Sequence, residues 1–462
     1  MLLATLCLLT AVPAANAGVL QGLEPQRAWV VPVTRSDDWP KYCASFDMTG
    51  TARGAVKLTR QNVAGLTSLW AISLPGPIAS SPTVVGSTLY QGDWSGTFSA
   101  INALTGQVLT QTSLGQTTAP QCEPSVIGIT CAPHVLRGRV YVAGGDDAFY
   151  ALDAKTLATV WRTRLGDNDA GYYGWSSPAV VGDRVLEGIS SECDNPFIPG
   201  RLVALDAATG EIRQQASFVP SGVNGGGIWT SPAVDLVSGK IFVTTASALR
   251  LADGLAFCVV RLSLDDLAIE DSWKVDPRGT PDADWGSSPT LFIDSAGREL
   301  VGAGQKDGGY YAFDRRHLAQ GPVWIAPISR GGECPQCGDG TLSTAGYDGQ
   351  HLYLAGGVPP DVSSPQNGST VVALDPSTGA ILWRRSFAGG PGIAPVSVAQ
   401  GVVFAVAGRQ VLALNTDTGE TLWSFVMSSW GYSGVAISGG RIYVGDTDGH
   451  LYAFSLPDAG VR

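Results

Sequence analysis

A motif that recurs eight times constrains the fold of this chain more than any other feature. Each copy ends a strand-like run with a small residue, an apolar residue and, in most copies, Asp or Asn; several continue into Thr-Gly and a Trp. The copies lie about forty to sixty residues apart, which is the spacing of propeller blades. They are Ala100-Ile101-Asn102, Ala151-Leu152-Asp153, Ala204-Leu205-Asp206, Arg261-Leu262-Ser263, Ala312-Phe313-Asp314, Ala373-Leu374-Asp375, Ala413-Leu414-Asn415 and Ala453-Phe454-Ser455.

A repeat of this length cannot bury its apolar face alone, so neighbouring copies must stack around a ring. Turns of small residues such as Ser80-Ser81-Pro82 open the repeats, as expected where inner strands converge and their backbones crowd. The Trp that follows Thr-Gly should pack between adjacent blades, at Trp161, Trp324, Trp383 and Trp423. The sequence therefore predicts an all-β protein, an eight-bladed β-propeller of four-stranded antiparallel blades over residues 38–462.

The two ends of the chain predict how the ring closes. The last copy has no Thr-Gly-x-x-x-Trp after it, whereas residues 66–70 form a strand-like run ending in Trp70 ahead of the first complete repeat. The N-terminal segment is therefore predicted to supply the outer strand of the last blade. This closure removes the exposed sheet edges that invite aggregation.

Charge and the first residues narrow the class of protein. A net charge of −11 and a pI near 4.8 argue against nucleic-acid binding, which needs a basic stripe. Residues 1–12 form an apolar run too short to span a bilayer, and Ala15-Asn16-Ala17 follows as a small-x-small cleavage pattern, although the usual Lys or Arg before the run is missing. We predict a signal peptide over 1–17, an N-terminal extension over 18–37, and a secreted or periplasmic protein without a transmembrane segment. A buried N-terminal strand is the alternative for residues 1–17.

Seven cysteines remain after this leader, a number that suggests disulfides with one thiol left over in an oxidising compartment. Cys122 is predicted to pair with Cys131, because the two flank one short loop. Cys334-Pro335-Gln336-Cys337 resembles a redox or metal motif, but Gly338 stands where haem attachment requires His. Since no second Cys-x-x-Cys completes a zinc site, we expect a loop disulfide there and no haem.

The repeat Ala-Leu-Asp-x-x-Thr-Gly-x-x-x-Trp resembles that of quinoprotein alcohol dehydrogenases and of their non-catalytic relatives, the outer-membrane assembly propellers. The resemblance to polyvinyl-alcohol-dehydrogenase-like quinoproteins covers nearly the whole chain after the leader. Its more specific motifs are Gly226-Gly227-Ile228-Trp229, Asp284-Trp285-Gly286-Ser287-Ser288-Pro289 and Gln305-Lys306-Asp307-Gly308. It implies that the orthoquinone PQQ lies across the top of the ring, where a divalent cation, usually Ca²⁺, polarises its carbonyl.

The resemblance implies roles for three residues of these motifs. Trp229 is expected to stack against PQQ, and its alternative is a Trp that packs between blades. Asp284 is expected to bind the cation and to act as general base for the alcohol proton, and its alternative is a turn cap. Lys306 is expected to neutralise charge on the quinone oxygen, and its alternative is an ordinary turn residue.

Three further residues match the family less closely. Glu192 falls near a carboxylate ligand of the cation, and Thr130 is a candidate to hydrogen-bond a cofactor carboxylate. Ser247 stands where the family has an Asn that ligates the cation, and a hydroxyl is a poorer Ca²⁺ ligand than an amide or carboxylate oxygen. The sequence has no adjacent cysteines of the kind that form a disulfide in many quinoproteins, and we do not expect the haem c domain that related dehydrogenases carry.

Two functions from different classes follow. The first is an exported PQQ-dependent dehydrogenase that oxidises alcohol groups of small-molecule, polymeric or sugar-like substrates and passes electrons to a separate soluble acceptor. The second is a non-catalytic propeller that serves as a binding or assembly scaffold. Retention of Trp229, Asp284 and Lys306 favours the enzyme, whereas Ser247 and the missing haem favour the scaffold.

Overall fold

The computed structural model describes residues 37–52, 54, 57–118, 122–250, 254–276, 282, 284–362 and 368–457. These residues form eight antiparallel sheets arranged as the blades of a propeller, so the predicted all-β, eight-bladed fold is confirmed. The predicted signal peptide, and the extension apart from its last residue, lie outside the described residues. In the described part of the chain no helix is long and apolar enough to cross a membrane.

The described strands are numbered β1 to β35 in chain order, and four of them form the core of each blade. Blade 1 consists of β2 (Thr83–Val85), β3 (Thr88–Gly92), β4 (Thr97–Asn102) and β5 (Val108–Ser113). Blade 2 consists of β8 (His134–Leu136), β9 (Arg139–Ala143), β10 (Ala148–Asp153) and β11 (Thr159–Arg164). Blade 3 consists of β13 (Ala179–Val181), β14 (Arg184–Ser191), β15 (Arg201–Asp206) and β16 (Ile212–Ser217). Blade 4 consists of β17 (Ala233–Asp235), β18 (Lys240–Thr244), β19 (Cys258–Ser263) and β20 (Ile269–Lys274). Blade 5 consists of β21 (Thr290–Ile293), β22 (Glu299–Gly304), β23 (Gly309–Asp314) and β24 (Trp324–Pro327). Blade 6 consists of β25 (Gly346–Tyr347), β26 (Leu352–Gly356), β27 (Gly368–Leu374) and β28 (Ile381–Ala388).

Blades 7 and 8 complete the ring. Blade 7 consists of β29 (Ser397–Ala399), β30 (Val402–Ala407), β31 (Gln410–Asn415) and β32 (Thr421–Val426). Blade 8 consists of β33 (Ala436–Ser438), β34 (Arg441–Gly445), β35 (His450–Ser455) and β1 (Thr67–Ser73). Blade 3 gains a short fifth strand, β12 (Tyr172–Tyr173), and a small hairpin of β6 (Thr117–Thr118) and β7 (Val126–Ile127) follows blade 1. The described 3₁₀ helices are Val63–Gly65, Asn168–Ala170, Leu318–Gln320 and Pro335–Cys337.

Ring closure follows the prediction. Strand β1 pairs antiparallel with β35, with Trp70 opposite Ala453 and Ser73 opposite His450. The indole of Trp423, on blade 7, donates to the carbonyl of Leu66, 2.9 Å away. The outer strand of blade 8 therefore comes from the N-terminal part of the chain, and the ring has no free edge at the junction.

The Trp of an outer strand packs against the Thr-Gly turn of the next blade, as predicted. Trp161 Nε1 donates to the carbonyl of Ala207 at 3.2 Å. Gly210 in the same turn has a φ of +76°, and a Cβ there would overlap the Trp161 ring. Glycine is needed for both reasons. The same arrangement joins Trp324 to Gly379 and Trp383 to Gly419.

The small-residue turns also bond adjacent blades through their hydroxyl groups, which crowding alone did not predict. Ser177 Oγ accepts from the backbone N–H of Ala132, and Ser231 Oγ accepts from that of Ser177, both at 2.9 Å. Ser288 Oγ accepts from Ser231 at 2.9 Å, and Thr344 Oγ1 accepts from Ser288 at 3.2 Å. A chain of hydrogen bonds therefore runs along the channel wall from blade 2 to blade 6.

We expect Ser231→Ala to lower the free energy of unfolding by about 1–3 kcal/mol, because it leaves the buried N–H of Ser177 without its acceptor. Denaturant unfolding monitored by tryptophan fluorescence measures this change. Ser113→Ala, at an exposed strand end, is the matched control and should change stability little. An unchanged denaturation midpoint for Ser231→Ala would show that these hydroxyls do not stabilise the ring.

Residues 37–52, here called the N-terminal strap, cross the inner strands before β1 begins. Their backbone oxygens accept hydrogen bonds from Val84, Val135, Val234, Leu291, Tyr347 and Val398, and from the hydroxyl of Ser438. These partners belong to seven of the eight blades. Tyr42 of the strap lines the central channel, where its phenol lies 3.0 Å from Thr344 Oγ1.

One disulfide prediction is wrong. Cys122 pairs with Cys193, not with Cys131. Cys131 is a buried free thiol where the inner turn of blade 2 begins, and its Sγ lies 3.6 Å from the carbonyl oxygen of Ala143. Cys193 instead lies on a loop after β14 that brings its Cα to 5.8 Å from that of Cys122, within the range a disulfide spans.

The other cysteines divide between one predicted bond and free thiols. Cys334 and Cys337 form the expected loop disulfide, with a Cα–Cα distance of 5.1 Å. Cys43, Cys131 and Cys258 are free and buried, so among the described residues three thiols are unpaired rather than the single one expected. Burial raises the pKa of each of them, which makes these thiols poor nucleophiles.

Candidate functional site

A cavity of about 230 Å³, here called the acidic cavity, lies where loops of blades 3, 4 and 5 meet. It is lined by Trp175, Ser190, Ser191, Glu192, Cys193, Asp194, Trp229, Ala246, Asp282, Asp284 and Lys306. A larger central cavity of about 570 Å³ shares Trp175 and Trp229 with it. Four of the six predicted site residues therefore line one cavity, although they come from three different blades.

Asp284 and Lys306 are held together by the backbone of blade 5. Asp284 lies just before the inner strand, and its carbonyl accepts the N–H of Lys306 at 3.2 Å. Lys306 lies in the turn between β22 and β23, so its Nζ reaches Asp284 Oδ1 at 2.8 Å and Asp282 Oδ2 at 2.7 Å. Asp284 is only 3% exposed. The ammonium group is thus a direct partner of two carboxylates.

Burial dominates the electrostatics of this cluster. It raises the pKa of Asp284 far above its usual range, even though Lys306 stabilises the carboxylate. Burial also raises the pKa of Asp194 and of Glu192. Burial works against the charged form of Lys306, but Asp284 and Asp282 raise its pKa overall. Carboxylates outnumber the single ammonium group, so an added cation would be stabilised here.

Trp229 lies at the start of blade 4, where the backbone passes close to blade 3. A Cβ at Gly227 would overlap Ser190, and Ile228 donates its N–H to the carbonyl of Ile189 at 3.1 Å. The ammonium nitrogen of Lys306 lies 5.8 Å from the centroid of the Trp229 ring, within cation–π distance.

The surroundings of Trp229 differ from those of the blade-packing tryptophans. Those residues donate Nε1 to a carbonyl of the next blade, whereas Trp229 Nε1 is buried without a hydrogen-bond partner among the described residues. Its ring lines both cavities. These features favour a binding role for Trp229 over the packing alternative.

Glu192 and Asp194 lie on the loop that follows β14. Glu192 is 5% exposed; its Oε2 accepts from Thr117 Oγ1 at 2.8 Å, and its Oε1 has no hydrogen-bond partner in the described structure. Asp194 Oδ2 accepts from Ser247 Oγ at 2.9 Å. Ser247 therefore contacts Asp194, and Asp194 rather than Ser247 lines the acidic cavity.

Sequence reasoning missed Asp194 and Asp282. Carboxylate oxygens of Asp194, Asp282 and Asp284 lie within 4.8 Å of one another. A weak signal was present, because Asp194 stands two residues after the predicted Glu192, and Asp282 two residues before the predicted Asp284. Neither spacing revealed that the two loops meet.

Thr130 is not brought into the acidic cavity. Its Oγ1 lies 3.2 Å from the hydroxyl of Tyr173, and it lines the central cavity together with Trp175 and Trp229. If Thr130 binds a cofactor carboxylate, that carboxylate must lie in the central cavity. Trp175, which was not predicted, lies between the two cavities with its Nε1 donating to the carbonyl of Ser191 at 3.0 Å.

The residues present fit a flat anionic ring and a hard cation. Trp229 offers an apolar π surface with an ammonium group over it, as an aromatic dianion or trianion requires. Carboxylate oxygens are the preferred ligands of Ca²⁺, and both Glu192 Oε1 and Asp282 Oδ1 are buried without hydrogen-bond partners in the described part of the chain. A buried carboxylate oxygen is costly unless it is paired or binds a cation, so both of these oxygens are available as ligands.

Comparison with known proteins identifies what this chain resembles. The family model PQQ_2, described as outer membrane protein assembly factor BamB, matches residues 54–317 and 367–461. These segments include every residue that lines the acidic cavity and all strands of the ring except β24 of blade 5 and β25 and β26 of blade 6.

Two proteins named polyvinylalcohol dehydrogenase are similar over most of the chain. The one from Pseudomonas sp. is 25% identical, over 84% of this chain and 70% of its own length. The one from Sphingopyxis sp. (strain 113P3) is 26% identical, over 82% of this chain and 65% of its own length. Among solved structures, quinohemoprotein alcohol dehydrogenase from Comamonas testosteroni superposes with a TM-score of 0.70 at 18% identity, over 93% of this chain and 82% of that one. At 18% identity, this superposition shows a shared fold.

Proposed function

This chain belongs to the PQQ_2 family, whose model is described as outer membrane protein assembly factor BamB, and from this premise we propose that it is an exported PQQ-dependent dehydrogenase that oxidises alcohol groups. The predicted resemblance to polyvinyl-alcohol-dehydrogenase-like quinoproteins is confirmed by the family match and by the two relatives. Their names support an oxidoreductase of the quinoprotein alcohol dehydrogenase type. Export, the polymeric or sugar-like substrate and a separate soluble electron acceptor are parts of the proposal.

One observation carries the proposal most directly. Trp229, Asp284 and Lys306 come from two blades and line a single cavity, with Lys306 bonded to Asp284 and placed over the Trp229 ring. Packing residues have no reason to converge in this way, whereas loops at one face of a ring build a site.

Each residue has a task that its surroundings allow. PQQ, when bound, supplies the two-electron acceptor for alcohol oxidation, and Ca²⁺ beside it supplies Lewis acidity. Trp229 would bind the flat ring, and Lys306 would stabilise negative charge near it. Asp284 would accept the hydroxyl proton of the alcohol, because a buried carboxylate with a raised pKa is a stronger base than an exposed one.

The scaffold alternative is weakened by the cost of this cluster. Burying the carboxylates of Asp284 and Glu192 and the ammonium group of Lys306 costs several kcal/mol of desolvation per ion, and a pure scaffold would gain nothing in return. The description of the family model nevertheless names an assembly factor.

The decisive experiment is to incubate apoprotein with PQQ and Ca²⁺ and to follow dye reduction with primary, secondary and polymeric alcohols. If no dye is reduced and calorimetry detects no PQQ binding, the scaffold function is the one that remains.

We expect Trp229→Ala to weaken PQQ binding by about 2–3 kcal/mol, roughly 30- to 150-fold in Kd, because the stacking surface is lost. Isothermal titration calorimetry in the presence of Ca²⁺ measures this change. Trp383→Phe, at a blade-packing tryptophan, is the control and should bind PQQ as the parent chain does. Equal affinities for the Trp229→Ala variant and the parent would place PQQ, if bound, elsewhere.

A further inference from the structure

We propose that Asp194 is a ligand of the bound cation and supplies the oxygen that the family resemblance assigns to an amide at position 247. This inference rests on the proposed function, since it concerns the cation of that same site. It explains how the chain could bind the cation although Ser247 replaces the expected Asn.

The hydrogen bond between Ser247 and Asp194 is the first argument. Ser247 is 3% exposed, and its hydroxyl donates to Asp194 Oδ2 at 2.9 Å. A hydroxyl that donates to a carboxylate orients that carboxylate, and Asp194 is the member of the pair that lines the acidic cavity. Ser247 is therefore a positioning residue in this arrangement, and Asp194 presents the oxygen.

The spacing of the carboxylates is the second argument. One oxygen each from Asp194, Asp282 and Asp284 lies within 4.8 Å of the others. Ca²⁺ binds oxygens at about 2.3–2.6 Å, so two ligands on opposite sides of the ion stand about 4.6–5.2 Å apart. These three side chains could thus share one ion without a large movement of the backbone.

An independent observation points to the same place. Glu192 is 5% exposed, lines the cavity, and has its Oε1 buried with no hydrogen-bond partner among the described residues. A buried carboxylate oxygen is costly unless it is paired or coordinates a metal. Glu192 thus adds a further carboxylate to the lining of the same cavity, and carboxylate oxygens suit a hard cation.

The loop that carries Glu192 and Asp194 is fastened at two adjacent residues. Cys193 is bonded to Cys122, and Glu192 Oε2 accepts from Thr117 Oγ1, so both fastenings lead to the segment that follows β5. The disulfide lies between the two proposed ligands in sequence. It therefore limits how far Glu192 and Asp194 can move away from the blade 5 carboxylates.

The test measures Ca²⁺ binding to the apoprotein by calorimetry, without PQQ and without turnover. Asp194→Ala should raise the Kd for Ca²⁺ at least tenfold, in line with the loss of a group at a metal site. Asp194→Asn should fall between Asp194→Ala and the parent, because it keeps an oxygen but loses the charge. Asp361→Ala removes an exposed carboxylate elsewhere and should bind Ca²⁺ as the parent does.

Two further variants separate the ligand from its support. Ser247→Asn should not tighten Ca²⁺ binding if Asp194 is the ligand, whereas tighter binding would assign the position to residue 247 itself. Removal of the Cys122–Cys193 bond by a double Ser substitution should weaken Ca²⁺ binding several-fold. The same change at Cys334 and Cys337, which do not line the cavity, should not.

The outcomes distinguish this inference from the proposed function. If the parent chain binds Ca²⁺ and oxidises alcohols with PQQ but Asp194→Ala binds Ca²⁺ equally well, only the assignment of Asp194 is overturned. If Asp194→Ala loses Ca²⁺ while the parent never binds PQQ, the assignment stands and the dehydrogenase proposal fails. If the parent binds no Ca²⁺, both are wrong.

Discussion

Replacing Asp284 with Asn should lower the rate of PQQ-dependent alcohol oxidation by about 10²–10⁴-fold, the usual contribution of a general base. The substitution keeps the volume of the side chain but removes the carboxylate that we propose accepts the hydroxyl proton. PQQ affinity should therefore change far less than kcat. Dye-reduction kinetics at saturating Ca²⁺ measure the first quantity, and calorimetry measures the second.

Asp361→Asn is the matched control for this prediction. Asp361 is an exposed carboxylate that pairs with Arg384 and does not line the acidic cavity. It should retain the activity that Asp284→Asn loses. If Asp284→Asn keeps a tenth or more of the parent's activity, the base lies elsewhere.

Deleting residues 37–73 should prevent the chain from folding to a soluble monomer. The deletion removes β1, the N-terminal strap and the Leu66 carbonyl that Trp423 contacts. It breaks bonds to seven inner strands and exposes the edge of β35, so the loss should exceed the total stability of about 5–15 kcal/mol that domains possess.

Size-exclusion chromatography and circular dichroism test this expectation. The control is a chain that begins at Asp37 and keeps every bond of the strap and of β1. It should fold and melt like the parent chain. A deletion variant that remained monomeric with an unchanged Tm would show that the ring closes without its N-terminal part.

The fold could be predicted because its cause is local and repeated. A small residue, an apolar residue, an acid, Thr-Gly and Trp specify one strand, one turn and one contact with the next blade, and Gly210 beneath Trp161 shows how tightly that contact is set. Closure could be predicted from a missing strand at one end and a spare one, ending in Trp70, at the other.

The site could be predicted only where a motif marked it. Trp229, Asp284 and Lys306 lie in recognisable stretches, and the structure brings them to one cavity. Asp194 could not be found in this way, because its closeness to Asp282 and Asp284 depends on where a loop of blade 3 lies relative to blade 5. The mistaken pairing of Cys131 has the same origin, since closeness in sequence does not measure closeness in space.

The N-terminal strap should make the molecule fold slowly and unfold as one unit. Its partners extend from Val84 to Ser438, and β1 joins Thr67 to a residue 388 positions away. Open repeat arrays gain stability one neighbour at a time and can unfold from their ends. This ring has no ends, so it should melt in a single transition and, given such distant contacts, fold slowly. Nearly the whole chain must be synthesised before the strap can find its partners, and the acidic cavity should persist for as long as the ring itself does.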